Sequence, residues 1–529
     1  MKKNSFMEGA IVATIAIILT KVMGVLYVIP FYKIIGEQGG ALYGYAYNIY
    51  NIFLIISSAG IPLAISKLTS EYETLKEYDK KNEMYKISKK FIYVFSILSF
   101  LLCFIFAKPL AKLILGSLSG GNTIDDVCFV IRCISFALLI VPVLAIYRGY
   151  LQGHKYITVS SISQVIEQLV RIVFILLGSY ICVKVLHIRI TYAIGISVFS
   201  ATIGAIFAYI YLILKTKKSN VIKNDVKKEF SKEEKKDIIK KIIGYCIPFI
   251  IINIANSIYN TTDMILIIRG LTKLGYNAND VETISSIFTT WGNKLVTVVK
   301  SFATGLTISL IPSLVNAYVS KDMKRANHYF NTSLKVLLFI ILPITIFMSI
   351  FSKEIWFLFY GKSYYGPIIF KFLILVAVLD SAYVISCSTL QGLYKTKLIY
   401  ISSLCGLLLN AILDIPMMNL FNKIGIYPYY GAIAATIIGY IIALGIPMYV
   451  LYKKEGFRYT ETIKTLPKCI LSVGIITLLW IIYKKIMPTM NGFVGNTIYL
   501  TIIGIITLFV YYVLNKEIII NLLKEKNRR

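Results

Sequence analysis

Four polar residues follow one another at helical spacing inside a long apolar stretch. Asn253, Asn256, Asn260 and Asp263 are separated by three, four and three positions, which places them on one face of a helix. Such a stripe is costly against lipid, so we expect it to line a water-filled cavity or to form hydrogen bonds between helices. In a cavity, the amides could bind a sugar or peptide group, and Asp263 could bind a coupling cation.

Two lysines also lie inside apolar stretches. Lys21 is about thirteen residues into the first stretch, roughly 20 Å along a helix, so its side chain covers only part of the way to the membrane surface. We expect it to face a hydrated cavity; the alternatives are snorkelling and a structural ion pair. Lys300 lies deeper in its stretch than Lys294 and points about 120° away from it. Lys300 is therefore the better candidate for binding an anion in a cavity.

Opposite charges lie four positions apart in a third apolar stretch. Glu167 and Arg171 have the spacing at which charges pair on one helix. We expect a structural or gating ion pair, because pairing offsets the cost of placing both charges in lipid. Asp380 and Asp414 are further acids in apolar stretches, and they could relay protons, bind a cation or pair with lysine or arginine.

The elements that carry these residues are predicted transmembrane helices. Of 529 residues, 57% are hydrophobic and 16% are charged, whereas a soluble domain has about 25% charged residues. Continuous apolar runs of helical length indicate an all-α polytopic membrane protein, and they exclude a soluble enzyme, a disordered chain and a disulfide scaffold. Fourteen helices are expected, near residues 8–32, 45–66, 91–115, 128–150, 158–183, 191–214, 242–268, 291–318, 330–351, 368–391, 397–418, 430–452, 467–487 and 494–514.

Positive charge sets the expected orientation of these helices. The 56 lysines and arginines, against 26 acids, concentrate at both termini and in every second connection, so both termini are expected in the cytoplasm. These charges would contact anionic phospholipids, and nucleic-acid binding is disfavoured because no soluble domain exists to carry it. Eight scattered cysteines without a CxxC pair and three separated histidines predict neither a disulfide framework nor a metal site.

The sequence contains an internal duplication. Residues 106–116 resemble residues 351–361, and the Leu-Gln-Gly sequence at 151–153 recurs at 390–392. Each repeat has six helices, so both copies insert in the same orientation, and a pseudo-two-fold axis along the membrane normal is expected. The predicted organisation is an N-lobe (1–214), a basic cytoplasmic linker (215–241), a C-lobe (242–452), and two additional helices with a basic tail (453–529).

The sequence gives no indication that ATP hydrolysis supplies the energy for function. No GxxxxGK[ST] sequence occurs, so we expect a secondary transporter rather than an ATPase or another enzyme. No cofactor is expected; a proton or sodium gradient, the membrane potential or the substrate gradient itself would drive transport. The expected state is a monomer.

Several motifs together resemble a known family. They are Thr20-Lys21-Val-Met-Gly24, Gly39-Gly40-Ala-Leu-Tyr-Gly-Tyr45, Gly60-Ile-Pro-Leu-Ala-Ile-Ser-Lys67, Arg148-Gly-Tyr-Leu-Gln-Gly153 and Ser163-Gln-Val-Ile-Glu-Gln-Leu-Val-Arg171. The chain resembles the polysaccharide-transport branch of the MOP (MATE-like) exporter superfamily, within it most the Gram-positive MurJ-type lipid II flippases and stage V sporulation protein B. The resemblance covers nearly the whole chain and is strongest over residues 1–180.

The resemblance implies a function and several site residues. The family moves undecaprenyl-pyrophosphate-linked saccharides across the bacterial cytoplasmic membrane through a cationic cavity, and lipid II is the first candidate substrate. Lys21 falls on the arginine of the family's Ser-Arg-x-x-Gly pattern. Tyr27 and the uncharged stretch 53–56 stand where Gram-negative members carry further arginines, so Lys67 and Lys300 are the expected substitutes.

Alternative functions remain open at this point. They are export of another lipid-linked oligosaccharide, a MATE-type drug or cation antiporter, a non-transporting scaffold, and an enzyme acting on polyprenyl substrates. An antiporter for cations would favour an acidic cavity, which the basic composition disfavours. The sequence leaves the head group, the coupling ion and a role in sporulation undecided.

Overall fold

The protein is built from α-helices. The computed structural model describes residues 6–58, 60–217, 230–487 and 492–527, and within these ranges no β-strand occurs. For some residues inside helices the structure describes only the backbone; Asn253 and Asn256 of the predicted polar stripe are among them. The all-α prediction is confirmed.

The chain forms two compact units, residues 1–286 and 287–529. The first contains α1 (Phe6–Leu26), α2 (Val28–Ser58), α3 (Ile61–Thr74), α4 (Tyr78–Ile105), α5 (Ala107–Leu115), α6 (Ile124–Ser135), α7 (Ala137–Gly153), α8 (Ile157–Tyr180), α9 (Ile190–Lys217), α10 (Lys232–Lys273) and α11 (Ala278–Ser286). The second contains α12 (Gly292–Val319), α13 (Met323–Val336), α14 (Leu342–Ile350), α15 (Ser352–Tyr360), α16 (Tyr365–Leu373), α17 (Val376–Gly392), α18 (Thr396–Lys423), α19 (Pro428–Lys453), α20 (Thr460–Ile486) and α21 (Gly492–Asn527).

The described helices are long and apolar enough for a multi-pass membrane protein. Eleven candidate spans lie within the described residues, and they correspond to predicted helices two to six and nine to fourteen. The predicted spans near 8–32, 242–268 and 291–318 are not among the eleven, and each includes residues whose side chains lie outside the description. The total of fourteen therefore stays a prediction. Large apolar side chains such as Leu508 and Phe509 of α21 point outward, as expected against lipid.

The helix of predicted span seven begins well before the membrane. Ser231 caps α10 and forms a reciprocal capping box with Glu234, and the helix then continues without a break to Lys273. Residues 218–229 of the predicted linker lie outside the described residues. Because α10 packs against α2, α3 and α5, the compact units divide after Ser286 rather than within the linker. The predicted lobes, which were drawn from the duplication, stay a prediction.

The duplicated segments fold alike within the two units. Residues 106–116 contain α5, and residues 351–361 contain α15, each a separate nine-residue helix. Each ends at a glycine with positive φ, Gly116 (58°) and Gly361 (79°), a conformation that glycine adopts without steric cost.

Two further turns recur at matching positions. Lys76 (φ 57°) follows α3, and Lys321 (φ 58°) follows α12; Lys155 (φ 65°) follows α7, and Tyr394 (φ 59°) follows α17. Residues with a side chain adopt positive φ in only a few per cent of cases. The recurrence therefore extends the duplication from sequence to backbone conformation.

The Leu-Gln-Gly repeats mark close helix crossings. A methyl group on Gly153 would lie 2.7 Å from the carbonyl oxygen of Ser66 in α3. A methyl group on Gly392 would lie 2.8 Å from Cβ of Leu314 in α12. Both glycines thus allow a neighbouring helix to approach more closely than a larger residue would permit.

Candidate functional site

A cavity of about 800 Å³ lies within the first unit, at the end of the helices predicted to face the cytoplasm. It is formed by α3, the end of α7 with the turn after it, and one residue of α10. The lining residues are Leu63, Ala64, Ser66, Lys67, Ser70, Glu71, Thr74, Leu75, Gln152, Gly153, Lys155 and Tyr245. Its size suits a small-molecule ligand or the polar head of a larger one.

Local sequence explains why α3 presents polar residues to this cavity. The helix starts after Gly60, which is left-handed (φ 75°), with Pro62 in its first turn, where the missing N–H costs nothing. Its buried face is formed by Ala64, Ile65, Leu68, Thr69 and Tyr72. Helical spacing then turns Lys67 and Ser70 to the opposite side.

The wall made by α3 and α7 is tightly packed. A methyl group on Gly149 would lie 2.5 Å from the carbonyl oxygen of Pro62, and Gly153 makes the similar contact with Ser66. Buried aliphatic and aromatic side chains continue the packing of α3, α4, α7, α9 and α10 around Leu68, Leu144 and Leu212. The cavity is therefore held in a dense part of the unit.

The Lys67 ammonium points into the cavity and contacts an aromatic ring. It lies 4.1 Å from the centre of the Tyr245 ring of α10, a cation–π contact that positions the charge without neutralising it. Lys67 is exposed, and in the described part of the chain it has no carboxylate partner within ion-pair distance. Its charge is thus available to an anion.

The acids near the cavity are already paired. A carboxylate oxygen of Glu71 lies 3.5 Å from Nζ of Lys241. Glu73, which lines a smaller adjoining cavity of about 260 Å³, lies 2.6 Å from Nζ of Lys81 and 3.6 Å from Nε2 of His154. With these carboxylates balanced, Lys67 and Lys155 leave the cavity positively charged.

Lys155 was not predicted to be a site residue. Its position in the turn after the Leu-Gln-Gly repeat is the sequence signal that could have found it, since the turn brings Lys155 beside α3. Tyr245 was also missed, because a single tyrosine at the start of an apolar stretch carries no distinguishing pattern.

The structure does not bring Lys21 to this cavity. Lys21 lies exposed on α1, which packs against α8 near Gly24 and Gln168. Across the described residues no acid lies within ion-pair distance of its ammonium. The proposal that Lys21 holds an anion in mid-membrane stays a prediction.

The predicted pair of Glu167 and Arg171 has different partners in the structure. The Glu167 carboxylate lies 2.8 Å from Nη2 of Arg148 in α7, whose Nε donates to Oγ of Ser163 at 2.8 Å. Arg171 instead donates to the hydroxyl of Tyr47 in α2 and lies over its ring. Glu167 and Arg171 are therefore not the ion pair that helical spacing predicted, because tertiary packing brings Arg148 of α7 to Glu167 and Tyr47 of α2 to Arg171.

Lys300 lies in an ion pair within the second unit. Its Nζ is 2.6 Å from a carboxylate oxygen of Asp380 in α17. The lysine side chain is 26% exposed and the aspartate side chain 9% exposed. Of the three alternatives for Asp380, pairing with lysine is the one that the structure shows.

The rest of the predicted polar stripe is partly described. Asn260 lies at intermediate depth and Asp263 is 8% exposed in α10, and each has a polar or electrostatic partner. The side chains of Asn253 and Asn256 lie outside the described residues. Within the described ranges, no three histidine, cysteine or acidic residues come together as a metal site would require.

Sequence comparison connects the chain to transport proteins. The family described as "Polysaccharide biosynthesis protein" matches residues 6–315, and the MatE family matches residues 248–415. Lipid II flippase MurJ of Bacillus subtilis (strain 168) is 29% identical over 469 residues, which cover 87% of this chain and 85% of that protein. Stage V sporulation protein B of the same organism is 26% identical over 224 residues, 42% of this chain and 41% of that protein.

Solved structures show the same fold. A lipid II flippase MurJ in an inward closed conformation superposes with a TM-score of 0.69 at 16% identity, covering 96% of this chain and all (100%) of that one. An inward-facing multidrug resistance MATE family transporter gives a TM-score of 0.67 at 13% identity, covering 84% and 98%. With the helical architecture and a family match over more than half of its residues, the chain belongs to the polysaccharide biosynthesis protein family of the MOP (MATE-like) exporter superfamily.

Proposed function

We propose that the protein is a flippase for an undecaprenyl-pyrophosphate-linked cell-wall precursor, with lipid II as the first substrate to test. The observation that carries the proposal is the first-unit cavity, in which Glu71 is paired and, among the described residues, Lys67 and Lys155 have no carboxylate within ion-pair distance. A pyrophosphate brings about two negative charges, which two lysine ammonium groups and nearby hydroxyls can bind, while the prenyl chain stays in lipid. The similarity to lipid II flippase MurJ supports the same substrate class.

In this proposal the cavity is the cytoplasmic loading site. The head group enters beside Lys67, Lys155, Ser70 and Gln152, and alternating access then exposes it to the outer leaflet. Lys21 and the polar face of α10 would contact the head group further along its path. Lys300 would reach an anion only after exchanging its partner Asp380.

No bond is made or broken in such a step. The protein acts as a transporter rather than an enzyme, and an ion gradient or the membrane potential supplies the energy. It functions as a monomer in the bacterial cytoplasmic membrane, with both termini in the cytoplasm and anionic phospholipids around its basic connections.

A leaflet-accessibility assay tests the proposal. Purified protein is reconstituted into vesicles that contain a fluorescent lipid II analogue, and a membrane-impermeant reagent measures how much analogue reaches the outer leaflet. Lys67→Ala and Lys155→Ala should each lower the rate about tenfold, the loss of about 1.4 kcal/mol of binding. Lys86→Ala is the matched control, because Lys86 is exposed on α4 and does not line the cavity.

The match to the MatE family over residues 248–415 favours one second candidate, an antiporter for hydrophobic cations. The same vesicles loaded with ethidium distinguish the two functions. Ethidium efflux without movement of the lipid II analogue would replace the flippase proposal. Movement of the analogue that is equal in protein-containing and protein-free vesicles would also overturn it.

A further inference from the structure

A carboxylate is completely buried at the end of the first unit that is predicted to be extracytoplasmic. Glu282 lies in α11, the short helix after which the chain enters the second unit at Ile287. Its residue exposure is 0%. Burying a carboxylate in this way is expensive unless hydrogen bonds or a cation compensate the loss of water.

Among the residues that the structure describes, Asn122 supplies the polar contacts of this carboxylate. The backbone N–H of Asn122 donates to Oε1 at 3.0 Å and lies 3.2 Å from Oε2, and Nδ2 of Asn122 donates to Oε2 at 2.9 Å. The contact is so close that a methyl group on Gly121 would lie 2.7 Å from Oε2. The Glu282–Asn122 clamp thus ties α11 to the 116–123 loop between α5 and α6.

The clamp contains no positive charge. No lysine or arginine in the described ranges lies within ion-pair distance of Glu282, and the charged group that faces it is Asp126 of α6, which pairs with Arg189 at 3.4 Å. From α2, Tyr45 faces the carboxylate, and the buried hydroxyl of Tyr45 makes no hydrogen bond within the described structure. From α10, Arg269 lies instead at the Leu113 carbonyl, 3.4 Å away.

We propose that Glu282 is a proton-binding site of the extracytoplasmic side, and that its occupancy sets how firmly α11 is held to the loop between α5 and α6. The ligand is a proton, and the site is distinct from the cavity around Lys67. The inference concerns the protein alone and does not depend on which lipid, if any, is moved.

The electrostatics give the direction of the effect. Burial raises the pKa of Glu282 from 4.5 to about 7, although the Asn122 donors oppose the rise and the negative charge of Asp126 adds to it. A water-exposed Glu282 would keep the ordinary value. The clamped form therefore binds the proton more tightly than the released form does. The stability that the proton gives to the clamp is complete below about pH 4.5, decreases as the pH rises to about 7, and does not change further above pH 7. Within this window the ratio of released to clamped protein rises up to tenfold per pH unit.

Infrared difference spectroscopy of the full-length protein in lipid nanodiscs tests the site directly. The carbonyl stretch of a protonated carboxylic acid should disappear as the pH is raised, with a midpoint near pH 7. Glu282→Gln should abolish this signal, whereas Asp280→Asn on the same helix should retain it. Asn122→Ala should move the midpoint to higher pH, because it removes a donor that favours the ionised carboxylate.

Hydrogen exchange of residues 278–286, corrected for the intrinsic pH dependence, tests the consequence. Protection should decrease between about pH 4.5 and pH 7 in the wild-type protein and should not depend on pH in Glu282→Gln. A wild-type spectrum without a titrating carboxylic acid, a signal that persists in Glu282→Gln, or protection that is independent of pH would each overturn the proposal. Neither measurement needs a substrate, so failure of the flippase proposal would be recognised separately.

Discussion

The ammonium of Lys300 in α12 lies 2.6 Å from the carboxylate of Asp380 in α17. The pair has no net charge, which lowers the cost of placing both groups in a helical bundle. A lysine held in this way binds an added anion only when its own carboxylate is released. The predicted role of Lys300 as an anion ligand therefore becomes the narrower prediction of a partner exchange.

Lys300 and Asp380 should stabilise the second unit together, so that the effect of replacing one depends on whether the other is present. Lys300→Ala leaves a nearly buried carboxylate without a cation, and Asp380→Ala leaves a partly buried ammonium without an anion. Each single substitution should lower thermal stability more than would be expected from its share of the double substitution Lys300→Ala with Asp380→Ala, with a coupling energy of about 1–3 kcal/mol. Thermal unfolding in detergent measures this, with exposed Lys362→Ala as the control; additive effects would contradict the pairing.

Exchanging charges should distinguish the observed ion pair of Arg148 and Glu167 from the pair of Glu167 and Arg171 that helical spacing predicts. Arg148→Glu and Glu167→Arg should each reduce the amount of folded protein in membranes, because two like charges then meet inside the unit. The double exchange should restore it, since the ion pair is rebuilt with reversed polarity.

The matched control for that exchange uses the other arginine. Glu167→Arg combined with Arg171→Glu should not restore folded protein, because Arg171 contacts Tyr47 rather than Glu167. Size-exclusion chromatography of the solubilised protein measures both exchanges. Recovery with Arg171→Glu but not with Arg148→Glu would contradict the observed partners.

The close approach of α3 and α7 should not tolerate a methyl group. Gly149→Ala and Gly153→Ala place Cβ 2.5 Å and 2.7 Å from carbonyl oxygens of α3, so each should destabilise the protein by about 1–3 kcal/mol through overpacking. Gly244→Ala in α10 is the control, since nothing lies within 4 Å of its added methyl group. Thermal unfolding curves should show lower stability for Gly149→Ala and Gly153→Ala than for Gly244→Ala. Equal stability of all three variants would contradict the close contact between α3 and α7.

The ring of Tyr245, rather than its hydroxyl, should matter for Lys67. Tyr245→Phe keeps the cation–π contact, and Tyr245→Leu removes it, at a cost of about 0.5–1 kcal/mol for an exposed cation. In the vesicle assay, Tyr245→Leu should lower the rate a few-fold, and Tyr245→Phe should leave it close to wild type. A larger loss in Tyr245→Phe than in Tyr245→Leu would assign the role to the hydroxyl instead.

The general architecture was predictable because its signals are long or repeated. Apolar runs of helical length predicted an all-helical membrane protein, and the segments ending at Gly116 and Gly361 predicted the duplication that recurs in the backbone turns. The division of the chain at Ser286 was not predictable, because hydropathy carries no information on which neighbours α10 packs against.

The site was predictable only in part. Lys67 was proposed as an anion ligand from its motif; the structure places it in the first-unit cavity, and its role there stays a prediction. Spacing along one helix suggested Arg171 as the partner of Glu167, but the true partner, Arg148, belongs to another helix. Interactions between helices depend on tertiary packing, so the residue spacing within a single helix does not predict them.

The glycine crossings also restrict how the first-unit cavity can change shape. The backbones of α3 and α7 are in close contact at two positions, so sliding one helix along the other would force atoms to overlap. The two helices are therefore expected to move together as one rigid body. The remaining wall is α10, which reaches the cavity through one aromatic ring resting on an ammonium group. Widening or narrowing of the entrance is therefore expected to come from displacement of α10, with Tyr245 as its movable edge.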